Sequence, residues 1–174
     1  LPSSMPLSAK RERVDELLRK LSLLKVADTI VGDVRRRGIS GGERKRLSIG
    51  CELLGSPSLL FLDEPTSGLD AYQAERVMES LKLLAAEGCT VVAVIHQPRS
   101  SIFGMLDDLL LLSEGRTVYS GPAAAAAARF KALGFPCPKE VAPAEHVVDC
   151  VSVDYSGAEA RADSLERVSR LARA

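Results

Sequence analysis

The sequence predicts an α/β fold whose strands are mainly parallel, with a helical segment before them and a hairpin late in the chain. Three observations carry that expectation. Leu59-Leu60-Phe61-Leu62 and the stretch from Thr90 to Ile95 are continuous apolar runs, the pattern of strands buried on both faces of a parallel sheet. Between them Ala74, Val77, Met78, Leu81 and Leu84 recur at helical spacing, so strand, helix and strand form one crossover unit. Farther on, Leu109 to Leu112 and Thr117 to Tyr119 flank Ser113-Glu114-Gly115-Arg116, which reads as a hairpin.

The remaining elements follow from the same periodicities. Val14, Leu17, Leu18, Leu21 and Leu24 predict a half-buried helix from Ser8 to Leu24, with Arg and Lys on its other face. A turn-rich stretch ends at Gly38-Ile39-Ser40-Gly41-Gly42-Glu43, after which Leu47, Gly50, Cys51 and Leu54 are expected to share one helix face. Asp70 opens the crossover helix and Gly88 closes it. Pro122 starts an alanine-rich helix ending near Gly134, expected to lie plainly on the surface because alanine needs no partner to be helical. Pro143 opens a short segment, and the tail from Ser156, rich in Ala, Arg and Glu, predicts a charged linking helix.

Composition narrows the function classes. The chain has 174 residues, 46% hydrophobic and 26% charged, enough to bury a core. Its 23 basic and 23 acidic residues cancel, so no overall field draws it to nucleic acid, and no nucleic-acid partner is expected. The cysteines Cys51, Cys89, Cys137 and Cys150 are widely spaced, with no Cys-x-x-Cys pair and too few histidines for a zinc site. They are read as reduced thiols facing the cytosol. The richest apolar stretch, Met105 to Leu112, is interrupted by Asp107 and Asp108, far short of the roughly 18 apolar residues of a membrane helix. The first residues lack the charged and apolar regions of a secretory signal, and the start is expected to be a cut end.

Three clusters and a histidine carry chemistry. Ser40-Gly41-Gly42-Glu43 has the spacing of a capping box, yet capping does not demand two glycines, which bare backbone N–H groups at a helix start and clear the way for a phosphate. Asp63 and Glu64 end a buried strand, where open α/β sheets bind their ligands. Asp63 is placed to reach Mg²⁺ through water, and Glu64 to orient and polarise an attacking water as general base. Thr66-Ser67-Gly68-Leu69-Asp70 is a polar turn in which Asp70, with Gln73 at capping-box spacing, caps the next helix, and the turn, with Ser67 and Asp70, is expected to cap and bind together. His96 follows the second strand and reaches the same edge if the strands are parallel, which suits a hydrogen bond to a γ-phosphate.

The order Ile39-Ser40-Gly41-Gly42-Glu43-Arg44-Lys45-Arg46, then Leu59 to Asp70, then His96-Gln97-Pro98 resembles the nucleotide-binding domain of ABC transporters. The arginine-rich tail of the signature, His-Gln-Pro and Tyr119-Ser120-Gly121-Pro122 look like the G subfamily, the White-type half-transporters. The resemblance implies a P-loop NTPase-like three-layer fold present in part. Residues 1–155 would be the C-terminal portion of that domain: a helical signature subdomain over about 8–55, the catalytic core over 56–121 and a helical extension over 122–155. Residues 156–174 would lead towards a membrane domain. It also implies ATP and Mg²⁺ as ligands, and a head-to-tail dimer with a second nucleotide-binding domain, identical or different. Ser40, Gly41 and Gly42 would then touch the γ-phosphate held by the opposite subunit, Asp63 and Glu64 would take the Walker B roles in cis, Asp70 the D-loop role across the interface, and His96 the switch role. The parent would be an ATP-hydrolysing exporter in a membrane, with this region on the cytosolic face.

Two departures qualify the resemblance. Ala142-Pro143-Ala144 stands where the subfamily usually has Asn-Pro-Ala, and the dipeptide Gly-Lys, needed for a phosphate-cradling Gly-x-x-x-x-Gly-Lys loop, occurs nowhere. Gly50 to Gly55 has the spacing but is followed by Ser56. A non-catalytic fragment is therefore one alternative reading, and a soluble ABC-type ATPase of the DNA-repair or chromosome-organising kind another. The latter would need long heptad segments or a basic stripe, and the chain has neither.

Overall fold

The computed structural model describes residues 1–33 and 35–173. Val34, inside the expected turn-rich stretch, and Ala174, at the end of the expected linking helix, lie outside the described residues. The chain forms two compact units, Leu1–His96 and the part from Gln97 onward.

The first unit opens with helix α1 (Leu7–Lys20), which ends four residues before the predicted Leu24. The reason is local. Ser22 adopts φ +56°, and the N–H groups of Leu23 and Ser22 turn back to the carbonyls of Leu18 and Arg19 at 2.7 and 3.0 Å, a Schellman closure with serine in the left-handed position. Leu21 and Leu23 are buried by that turn, while Leu24, counted on the apolar face, is 47% exposed.

Helix α2 (Gly41–Leu53) starts at the Ser40 cap, with both halves of the capping box made: Ser40 Oγ accepts from Glu43 N–H at 3.2 Å, and Glu43 Oε2 accepts from Ser40 N–H at 2.7 Å. Its buried face is Gly42, Arg46, Ile49, Gly50 and Leu53, which corrects the expected face of Leu47, Gly50, Cys51 and Leu54. The face shifts because a charged residue lies inside it. Arg46 is 6% exposed, its Nε donating to the Leu21 carbonyl at 2.9 Å across the end of α1. Burial pushes its guanidinium below the usual arginine range, with the nearby Glu43 opposing that shift.

Strands β1 (Leu59–Asp63) and β2 (Thr90–Val94) pair in parallel, joined by helix α3 (Ala71–Ala86). The register runs from Leu59 opposite Thr90 to Asp63 opposite Val94. Among the described residues no third strand joins them. Helix α3 packs on β2 and on α2, burying Val77, Met78, Leu81 and Leu84. The expectation that both sheet faces are buried is overturned: Leu60 is covered, but Phe61 is 71% and Val94 62% exposed, with Leu59 and Val92 also open. A continuous apolar run cannot report how many layers this chain supplies to cover it.

The second unit holds the short helix α4 (Ser100–Phe103), the antiparallel hairpin β3 (Asp108–Ser113) and β4 (Arg116–Pro122), and helices α5 (Ala126–Ala132), α6 (Pro143–Val151) and α7 (Ala158–Ala172). Glu114 and Gly115 make the tight hairpin turn with φ +49° and +70°. The alanine-rich segment is not a plain surface helix. A 3₁₀ turn over Ala123–Ala125 leads into α5, and Ala123, Ala126 and Phe130 are at most 2% exposed. Alanines here give close approach, and Phe130 meets Tyr119 edge-on, centroids 6.1 Å apart. Helix α7 packs on β4 and α6, burying Ser164, Val168 and Leu171, and Arg167 donates to the carbonyls of Cys150 and Ser152 at 3.0 and 2.8 Å. All four cysteines are free thiols, and burial raises the pKa of Cys150.

The open face of the β1–β2 pair makes a prediction. In the isolated 174-residue chain, Phe61→Lys combined with Val94→Lys should suppress self-association in light scattering while leaving the thermal midpoint nearly unchanged. Equal aggregation in the original and substituted chains would show that this face is not what associates.

Candidate functional site

Parallel pairing carries β1 and β2 in one direction, so Asp63 and the residues after Val94 reach the same edge of the sheet. Glu64 stays on that edge, its N–H donating to Val94 O at 2.9 Å, and His96 follows two residues beyond Val94. Glu64 adopts φ +46°, which costs a side-chain-bearing residue about 1 kcal/mol and is tolerated where the surroundings hold it. Asp63, Glu64 and His96 are all exposed, and among the described residues no hydrogen bond or ion pair engages either carboxylate. Unengaged carboxylate oxygens at a strand end suit Mg²⁺, a hard cation that keeps most of its waters. Beyond Glu64 the chain turns twice, Ser67 N–H to Glu64 O at 3.2 Å and Leu69 N–H to Thr66 O at 3.3 Å, before Asp70 Oδ1 caps α3 by accepting Gln73 N–H at 2.8 Å.

The expected second half of an Asp70–Gln73 box is not made, because Gln73 is used elsewhere. Its side chain lies over Gly42, where an added Cβ would stand 2.1 Å from Gln73 Oε1 and 3.1 Å from Gln73 Cβ. Gly42 thus lies under the crossing of α2 and α3, where a larger side chain would displace the Gln73 amide and press on its Cβ. Gly41 is different. It is exposed, and an added Cβ would meet only Leu69 Cδ2, at 3.4 Å. Among the described residues nothing asks for glycine there, so Gly41, with Ser40 beside it, is the part of this helix start open to an anion. No hydrogen bond joins Ser40 or Gly41 to the carboxylates of Asp63 or Glu64 among the described residues. Gln73 was not singled out from the sequence; only its capping-box spacing from Asp70 marked it.

With that geometry in hand, comparison with known proteins decides the family. Residues 3–67 match the ABC transporter family model, and residues 96–163 match that of the ABC-2 type transporter. ABC transporter G family member 7 of Arabidopsis thaliana is 52% identical over 98% of this chain and 24% of its own length. The chain belongs to the G family of ABC transporters. A second G-family relative, the broad substrate specificity ATP-binding cassette transporter ABCG2 of Bos taurus, is 47% identical over 90% of this chain and 24% of its own length. The chain therefore spans about a quarter of the G-family relatives it matches.

Solved structures agree on the fold. The chain is similar to cbiO1 from Clostridium perfringens, part of the ABC transporter complex cbiONQ, with TM-score 0.61 and 25% identity, covering 76% of this chain and 51% of that one. It is also similar to MJ1267, an ATP-binding cassette of an ABC transporter in its ADP conformation, with TM-score 0.59 and 21% identity, covering 76% of this chain and 50% of that one. The G-family chain thus has the P-loop NTPase-like cassette fold in part, about half of each neighbour. Among its described residues no helix is long and apolar enough to cross a membrane.

The two signature glycines should separate by substitution. Gly42→Ala is expected to cost about 1–3 kcal/mol of stability through overpacking on Gln73, and Gly41→Ala to stay within about 0.5 kcal/mol of the original. Chemical unfolding curves check both, and equal losses at the two positions would contradict the distinction.

Proposed function

We propose that this region completes and fires the nucleotide sites of an ATP-hydrolysing G-family exporter. The observation that carries the reading is the shared edge of β1 and β2, to which Asp63, Glu64 and His96 all belong, their side chains exposed and without a hydrogen bond or ion pair among the described residues. Glu64 polarises the attacking water and takes its proton; His96 donates a hydrogen bond to the γ-phosphate; Asp63 is the residue that would hold Mg²⁺, through its water shell. Mg²⁺, when bound, neutralises phosphate charge during transfer.

Ser40, Gly41 and Gly42, supported by the Glu43 cap, serve the nucleotide of a second subunit in a head-to-tail dimer, identical or different, while Ser67 and Asp70 line the contact between the two. Gly41 supports this assignment: it is exposed, and among the described residues an added Cβ would meet only Leu69 Cδ2, at ordinary contact distance. The loop that cradles the β- and γ-phosphates has no counterpart in these 174 residues, so hydrolysis requires residues of the whole protein beyond them. In that whole protein the region lies on the cytosolic face of a membrane, and closing and opening of the dimer drives transport through a membrane domain.

In the full-length protein, Glu64→Gln should lower steady-state ATP hydrolysis by at least about 100-fold while ATP binding persists. Hydrolysis near the original rate would remove Glu64 from the role of base.

A further inference from the structure

We propose that Lys45 is a positioning residue for Glu64, a strut between the helix that serves one nucleotide and the loop that serves the other. This rests on the roles proposed above for Glu64 and for the start of α2. Glu64 sits at φ +46°, a conformation that needs support from its surroundings. Its N–H donates to Val94 O at 2.9 Å, and its carbonyl accepts Ser67 N–H and Lys45 Nζ, both at 3.2 Å.

The first two bonds come from the neighbouring strand and from the turn after β1, so they tie the loop to the sheet on which it already stands. Lys45 reaches it from another element, the second turn of α2, 19 residues upstream. Among the described residues the ammonium forms no ion pair. A lone exposed lysine bond adds little to stability. Its consequence is geometric: the accepting oxygen belongs to the peptide leaving Glu64, so a shift of α2 turns the backbone that aims the carboxylate. A general base is sensitive to such displacement, because proton transfer requires hydrogen-bond reach to the attacking water. Since the start of α2 would touch the nucleotide held by the partner and Glu64 the nucleotide held by its own subunit, Lys45 links the two sites through the body of each subunit.

The test uses the full-length protein with Lys45→Met, which keeps the aliphatic stem and removes the donor, and Lys45→Arg, which keeps a donor. In Lys45→Met the kcat for ATP hydrolysis is expected to fall roughly tenfold, with KM for ATP changed less than about twofold. Lys45→Arg is expected to retain more than about half of the original kcat, and the thermal midpoint should hold in both. A kcat within about twofold of the original in Lys45→Met would overturn the proposal. So would a loss confined to KM, which would make Lys45 a nucleotide contact, or an equal loss in Lys45→Arg. Glu64→Gln measured alongside separates the two readings: if it still hydrolyses ATP, the role of Glu64 falls and the strut with it. If Glu64→Gln is inactive and Lys45→Met is unaffected, only the strut falls.

Discussion

Five residues of β1 lie beside five of β2, and the pairing of Asp63 with Val94 determines where Asp63, Glu64 and His96 can act. Because the strands are parallel, both chains leave the sheet at the same edge, so a carboxylate pair on one strand and a histidine after the other become neighbours without being close in sequence. A slip of one residue would turn Asp63 to the other face and break the Glu64 N–H bond to Val94. The register is held from one side only. A two-stranded sheet is marginal in water, and here α3 packs on β2, with Leu81 and Leu84 of the helix and Leu60 of β1 all buried.

The second constraint is the crossing of α2 and α3 near their starts. Gly42 admits the Gln73 side chain, Ser40 and Asp70 cap the two helices, and the buried Arg46 ties α2 to the end of α1 through the Leu21 carbonyl. Its Nη1 is the buried side-chain nitrogen left without a partner among the described residues, so the guanidinium is kept inside by one good bond and the packing of its stem. These contacts give Ser40, Gly42 and Arg46 of the signature stretch, and Asp70 beyond it, a part in the fold whatever else they do. Ser40 and Gly41 are the exposed residues at that helix start.

Much of this was legible beforehand. The crossover, the hairpin and the caps at Ser40 and Asp70 follow from periodicity and turn chemistry, which act over a few residues. The misses share a cause: each depended on what a segment meets. Periodicity puts Leu47, Gly50, Cys51 and Leu54 on the inner face of α2, yet the stem of Arg46 packs inside and the buried face turns accordingly. The alanine-rich segment was assigned to the surface by propensity, yet Ala126 and Phe130 are completely buried under the hairpin side of the second unit. Leu59 to Leu62 were read as doubly covered from their apolarity, a property that records the need for cover and not its source. At the candidate site the acidic and histidine residues could be named from the sequence, whereas the reach of Lys45 to Glu64 across 19 residues leaves no local signature.

The proposed roles divide the labour between subunits: Asp63 and Glu64 act on the nucleotide of their own subunit, and Ser40 and Gly41 on that of the partner. The most direct measurement is ATP hydrolysis by mixed dimers of the full-length protein, one copy carrying Gly41→Asp and the other Glu64→Gln, each inactive as its own homodimer. If the signature acts in trans, mixing rebuilds one site with an intact Glu64 facing an intact Gly41, and hydrolysis returns. Mixed dimers as inactive as either parent would place both residues at the same site in one chain and contradict the account.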